Sequence, residues 1–238
     1  MGPVVSDPGA TRLAREPRVV RADRAFAWYA EAMRLFKRHP LGFAGLSGAV
    51  VVLQLVLDLI PVVGRSASNL LVPLAACSLL YAALAVDRGD RPRLAHLVAP
   101  FAAPAGSIVA VLLASLVVLG AEWLVNWHLT GTNLLEVEEP GSIGMLAVVA
   151  VYVAGVVVSL PLTLVPLLAL FEQVPVREAF ETSLAAFFRN VPAFALYGAL
   201  SVALIGLAFI TVGLGLVIAM PLWAASSYVA WKNLFGID

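Results

Sequence analysis

Hydrophobic and polar positions are sorted into blocks along the chain. Apolar residues run almost unbroken over 41–63, 67–86, 106–129, 143–171 and 193–231, with the polar residues gathered between them. Continuous runs of this length predict helices, because a transmembrane barrel shows dyad alternation over segments of about ten residues. About 20 residues at 1.5 Å each cross the hydrocarbon core of a bilayer. The first three runs therefore predict one crossing each. The fourth is too long for a single straight crossing, and Pro161 and Pro166 within it predict a kink or a tilt. The last block has 39 residues without a charge. As one helix it would be about 58 Å long, so it reads as two crossings, 193–211 and 213–231, with a turn between Thr211 and Gly215. The expected fold is an all-α, polytopic bundle of six transmembrane helices.

The segments between the spans carry a different period. Over 22–39, Ala22, Phe26, Tyr29, Met33 and Phe36 share one helical face, and Asp23, Arg24, Glu31, Arg34 and Arg38 lie opposite. Such a helix lies in the membrane interface, apolar face down, and Pro40 then turns the chain into the bilayer. The pattern returns over 175–190, with Val176, Phe180, Leu184 and Phe187 against Arg177, Glu178 and Glu181, and more weakly near 92–102. Setting Phe36 on Phe188 brings Pro40 onto Pro192, and further on Pro73 meets Pro221 at a slightly different offset. The unit is a surface helix, a proline and two spans. Used three times, it is a parallel internal repeat. Residues 1–20 hold too little apolar surface to offset ordering and predict a mobile basic arm. Residues 1–24 show no apolar stretch of signal-peptide type.

Composition and charge sharpen this picture. Hydrophobic residues make up 61% and charged residues 13%, with a mean hydropathy of +0.96. That excludes an ordinary cytosolic enzyme, a disordered chain and a fibrous protein. The net charge is zero, yet eight of the 15 basic residues precede residue 40. With six spans, fourteen of the fifteen fall on the side of the termini, leaving Arg65 alone on the other. The opposite loop carries Glu136, Glu138 and Glu139. Lys and Arg in short loops mark the cytoplasmic side, so both termini are expected there. The candidate lipid-facing cations are Arg24, Arg34, Lys37, Arg38, Arg91, Arg93, Arg177 and Arg189, suited to anionic headgroups rather than nucleic acid. Cys77, the single cysteine, allows no intrachain disulfide, and no Cys/His spacing suggests a metal or another cofactor.

Ionisable and amide side chains inside spans are candidates for function by default. Gln54 and Asp58 lie one turn apart on one face, as do Glu122 and Asn126. They could form a polar site, or sit at the headgroup level beside Trp123 and Trp127. Walker, His-Glu-x-x-His and Gly-x-Ser-x-Gly motifs are absent, which predicts a non-catalytic protein. Ser159, Ser226 and Ser227 are expected to bond carbonyls of the preceding turn. Two functional readings stand. In the first, the surface helices organise lipid or a protein partner, a second copy of this chain included. In the second, the chain is a small-solute or lipid carrier or permease subunit. A polar cavity at mid-membrane lined by Gln54, Asp58 or Glu122 favours the second. A dry centre of Leu, Val and Ala favours the first.

Three motifs carry a family likeness: a Trp-containing surface helix ending in Leu35-Phe36-Lys37-Arg38-His39-Pro40, then Ile60-Pro61-Val62-Val63-Gly64, then Asp87-Arg88-Gly89. Residues 20–101 resemble proteobacterial membrane proteins grouped only as a family of unknown function. More loosely, the chain is similar to the membrane domain attached to some bacterial glycerophosphodiester phosphodiesterases. The resemblance implies a six-helix inner-membrane protein and supplies no activity, because the catalytic domain of those phosphodiesterases has no counterpart in this sequence.

Overall fold

The structure, a computed structural model, describes residues 16–61, 63–131, 144–211 and 214–237. The described residues form ten α-helices and three 3-10 turns and no strand. In chain order the helices are α1 (Arg24–Arg38), α2 (Pro40–Asp58), α3 (Gly64–Ala76), α4 (Ser78–Asp87), α5 (Ala105–Thr130), α6 (Met145–Ser159), α7 (Val165–Leu170), α8 (Val176–Arg189), α9 (Val191–Ile210) and α10 (Leu216–Phe235). Residues 1–15 of the expected arm, the acidic loop with Glu136, Glu138 and Glu139, and Val212 and Gly213 of the expected turn lie outside the described residues.

Among the described residues, three helices are long and apolar enough to cross a membrane: Pro40–Asp58, Gly64–Asp87 and Ala105–Thr130. The second joins α3 and α4, with a local break at Cys77. Two departures from six uniform spans have physical causes. The run 143–171 is divided into α6, a 3-10 turn over Leu160–Leu162, and the short α7. Pro161 and Pro166 remove backbone donors there. Ser183 of α8 serves the broken stretch: its hydroxyl donates to Pro161 O (2.7 Å), and Leu164 N–H approaches it at 3.3 Å. In the last block, α8 and α9 meet at 96°, and Val176–Arg189 with Val191–Gly206 counts as a fourth span only if the bent pair is taken together. α10 contains Pro221 and ends among Trp231, Lys232 and Asn233, which lowers its hydropathy.

The surface helix α1 turns a different face to the protein from the one its wheel suggested. Ala25, Trp28, Ala32 and Leu35 are buried, about a quarter-turn from the expected face, and Phe26 on that expected face is exposed. The helix packs on α10 because Trp28 finds both apolar cover and a polar partner there. It is 1% exposed, its ring lies 5.9 Å from that of Phe194, and Nε1 donates to Asn233 Oδ1 at 3.2 Å. In α8 the most buried positions are Ala179, Ser183 and Ala186, while Val176, Phe180, Leu184 and Phe187 are half-buried. Both helices end alike. His39 and Asn190, each in a non-helical conformation, donate their backbone N–H to Phe36 O and Phe187 O. This places Phe36 opposite Phe187, one residue from the register that the sequence suggested.

Helices that follow a surface segment bury the same phase. α2 buries Phe43, Leu46, Ser47 and Val50; α5 buries Ser107, Ala110, Val111 and Ala114; α9 buries Phe194, Tyr197, Gly198 and Ser201.

Residues 16–20, expected as part of a mobile arm, are held against the bundle. Asn190 is the clasp, 1% exposed. Val20 N–H donates to its Oδ1 (2.7 Å), and its Nδ2 donates to Arg18 O and Ala186 O (both 3.0 Å). Arg18 N–H donates to Leu234 O at 2.8 Å, and Arg189 pairs with Glu16 at 3.0 Å. Backbone groups that find buried partners offset the ordering entropy that composition alone forecast as decisive. At this same end Asp87 Oδ2 accepts from Tyr228 Oη (2.8 Å) and pairs with Lys232 (2.7 Å), while Trp231 Nε1 donates to Glu172 Oε1 (2.8 Å).

Candidate functional site

α5 sets the site out. Val111, Ala114, Ser115, Val118 and Glu122 fall at spacings of three and four, one helical stripe covering about 16 Å of its length. This stripe lines a chamber of about 830 Å³, within the size range of small-molecule pockets. Tyr152, Gly155, Val156 and Ser159 of α6 form a second wall, continued by Leu160, Leu162, Thr163 and Pro166 at the proline-broken stretch. Tyr197, Ser201 and Ile205 of α9 and Trp223, Ala224 and Ser227 of α10 face them, with Pro73 and Cys77 completing the wall. The breaks that shorten 143–171 thus lie in the chamber wall.

Glu122 is half-buried and stands about 12 Å along the axis from the end of α5 at Thr130. Its carboxyl rests on Gly155 so closely that a Cβ there would collide with Oε1. Gln54, Ser68, Asn69 and Leu119 line a smaller chamber of about 320 Å³, which shares Pro73, Ser115, Val118 and Glu122 with the large one. Glu122 and Ser115 therefore stand between the two spaces. Of the four residues singled out as a polar site, the structure brings Gln54 and Glu122 together. Asp58 is exposed at the end of α2, and Asn126 is buried on α5; neither lines either chamber.

The surface helix α1 touches the chamber lining through Tyr29. The Tyr29 ring stacks on Tyr197 with centroids 5.3 Å apart, and its hydroxyl lies 2.7 Å from Ser201 Oγ. Ser201 gives its proton to Tyr197 O (2.9 Å), so Tyr29 is the donor. Burial raises the Tyr29 phenol above its ordinary range, which keeps that proton in place at neutral pH.

All eight cations expected at a lipid surface are exposed. Arg34 and Arg177 are paired within their own helices, to Glu31 (3.5 Å) and Glu181 (2.6 Å). Arg189 belongs to the clasp described above, and Arg38 donates to Val86 O at 3.4 Å. Arg24, Lys37, Arg91 and Arg93 complete the set. Ser159, Ser226 and Ser227 bond carbonyls three residues back, as expected: Val156 O at 2.8 Å, and Trp223 O and Ala224 O at 2.9 Å.

Sequence reasoning did not assemble the chamber. Its lining is mostly Val, Ala, Leu and Ser, types that also fill helix interfaces. Pro-Leu pairs occur at Pro40-Leu41, Pro73-Leu74, Pro161-Leu162, Pro166-Leu167 and Pro221-Leu222; Leu74, Leu167 and Leu222 are buried while Leu41 is 86% exposed, so the pair by itself does not mark the chamber. Among the described residues no group of three or more His, Cys, Asp or Glu is placed to hold a metal.

This chain is 25% identical over 259 aligned positions to a protein of Burkholderia thailandensis named a probable inner membrane protein. The match covers 92% of this chain and 93% of that one. No family model matches, and no solved structure matches. Together with the long apolar helices, the likeness makes this an integral membrane protein.

Proposed function

We propose that this protein is a non-catalytic membrane carrier, or the membrane subunit of one, whose cargo is an amphipathic molecule held in the central chamber. The observation that carries this reading is the chamber itself, with Glu122 and Ser115 at its junction with the space beside Gln54. A bundle that only organised lipid from its surface helices would have a filled centre, since close packing is the rule in protein interiors. The shared burial phase of α2, α5 and α9 supports a threefold parallel repeat around the chamber. In this reading the chain crosses the inner membrane six times, with both termini in the cytoplasm. Its exposed cations then meet the anionic headgroups of the inner leaflet and hold the bundle in orientation.

Photolabelling tests the chamber. The protein in lipid nanodiscs is irradiated with a long-chain alkanol carrying a diazirine at mid-chain, and adducts are mapped by mass spectrometry. α5 supplies its own control, because Leu113, Leu116 and Leu124 are exposed on its outer face. Adducts on Val111, Ala114 and Val118 as well as on the outer leucines are expected. Adducts confined to the outer leucines would remove the chamber as a binding site.

A further inference from the structure

We infer that the chamber selects cargo by a hydrogen-bond-donating head, an alkylamine or a long-chain alcohol, and rejects phosphate and carboxylate heads. The inference rests on the carrier reading above and deepens it.

Five serine and threonine hydroxyls line the chamber beside the phenols of Tyr152 and Tyr197, and each of the five spends its single proton on a helix carbonyl. Ser115 donates to Val111 O (2.9 Å), Ser159 to Val156 O (2.8 Å) and Thr163 to Ser159 O (3.0 Å). Ser201 donates to Tyr197 O and Ser227 to Ala224 O, both at 2.9 Å. A hydroxyl has one donor and two acceptor lone pairs, so what these side chains can still offer to a cargo is acceptance. Glu122 adds a carboxyl group whose oxygens accept. No Lys, Arg or His is among the described residues of the lining. The aromatic donors present are neutral and supply none of the positive charge that a desolvated phosphate needs.

The dimensions fit an amphiphile. Glu122 lies at the end of the α5 stripe nearest Thr130, and the apolar Val111 and Ala114 lie toward the other end. A head at Glu122 would leave about 16 Å of apolar wall for the tail, room for a chain of ten to twelve carbons at roughly 1.3 Å each along α5. An ammonium head would form a charge-assisted bond to the carboxylate, the strong class of hydrogen bond. An alcohol head would donate an ordinary one to either the carboxylate or Ser115 Oγ. A phosphate head would meet lone pairs and, among the described residues of the lining, no cation to match its charge.

Three mid-chain diazirine probes of equal length test this on the full protein in nanodiscs, with primary amine, hydroxyl and phosphate heads. Inner-face adducts on α5, normalised to the outer leucines of the same helix, are expected from the amine and the alcohol and not from the phosphate. In Glu122→Gln the amine should lose about tenfold or more in half-saturating concentration, while the alcohol changes by less than about threefold, reflecting the loss of a charged rather than a neutral partner. Inner-face labelling by the phosphate probe equal to that by the amine overturns the head-group rule and leaves the carrier reading in place. An amine response unchanged by Glu122→Gln removes Glu122 as the anchor. Failure of all three heads to mark the inner face removes the carrier reading and this inference with it. The head-group comparison needs only the unmodified protein, so it stands even if the variant does not fold.

Discussion

At the scale of single residues, several side chains do work that their type alone does not announce. Asn190 ends α8, clasps residues 18–20 and is fully buried, so its loss leaves backbone groups of the strap without partners. Asn190→Ala should lower stability by about 1–3 kcal/mol and expose residues 16–22 to protease. Cleavage there in the variant but not in the parent, followed by N-terminal sequencing, checks it; equal resistance would mean that the Arg18 bond to Leu234 suffices. Ser183 is a parallel case. Its hydroxyl serves both Pro161 O and Leu164 N–H at the broken stretch, and Ser183→Ala should cost about 1–3 kcal/mol, read as a lower melting temperature in detergent. Gly155 behaves differently. A methyl group there meets only the far end of the Glu122 side chain, which can swing away. Gly155→Ala should therefore melt close to the parent yet blunt the discrimination between amine and alcohol probes. A large fall in melting temperature would show instead that Glu122 is fixed where it stands.

At the scale of elements, the legible part of the chain was the part governed by apolar length. α2, the pair α3–α4 and α5 lie within a few residues of 41–63, 67–86 and 106–129, because about 20 residues of oil-like side chain have few alternatives to a helix. Partner geometry was not legible. The wheel of α1 shows one wide apolar arc, and periodicity cannot tell which flank of it meets protein. Trp28 and Ala32 meet α10, which lies nearly 200 residues away in sequence. The same limit hid Ser183 and Asn190, which bond Pro161, Leu164, Arg18 and Val20 from other segments. The chamber was illegible for a related reason: its hydroxyls and small apolar residues look like packing residues until the elements are assembled. Trp28→Ala should cost about 3–5 kcal/mol and detach α1 from α10, drawing Tyr29 away from the chamber lining. Hydrogen exchange would show this as loss of protection over Arg24–Arg38 with α5 unchanged. Retained protection of α1 would assign its docking to the strap rather than to Trp28.

At the scale of the whole molecule, one end of the bundle is rich in cross-links. The strap, the Asn190 junction, Arg38 with Val86, and the bonds from Tyr228 and Trp231 of α10 to the carboxylates Asp87 and Glu172 tie the chain's segments together there. Among the described residues, this is also where most basic side chains sit. Positive charge at one end is what insertion machinery reads as cytoplasmic, and the ion pair between Asp87 and Lys232 then lies where headgroups and water can reach it. The proposed six-crossing topology requires that N- and C-termini share this side. A periplasm-active reporter fused after Asp238 should be silent, and the same reporter inserted after Gly131, at the far end of α5, should be active. A second readout uses charge directly. Moving two arginines from the 88–93 loop to positions beside Arg65 should lower the fraction of chains in the parental orientation, because orientation follows the balance of Lys and Arg across short loops. The 2.8 Å bond from Arg18 N–H to Leu234 O keeps the strap and α10 on one side of the bilayer, so an active reporter after Asp238 would place both in the periplasm and invert the proposed orientation.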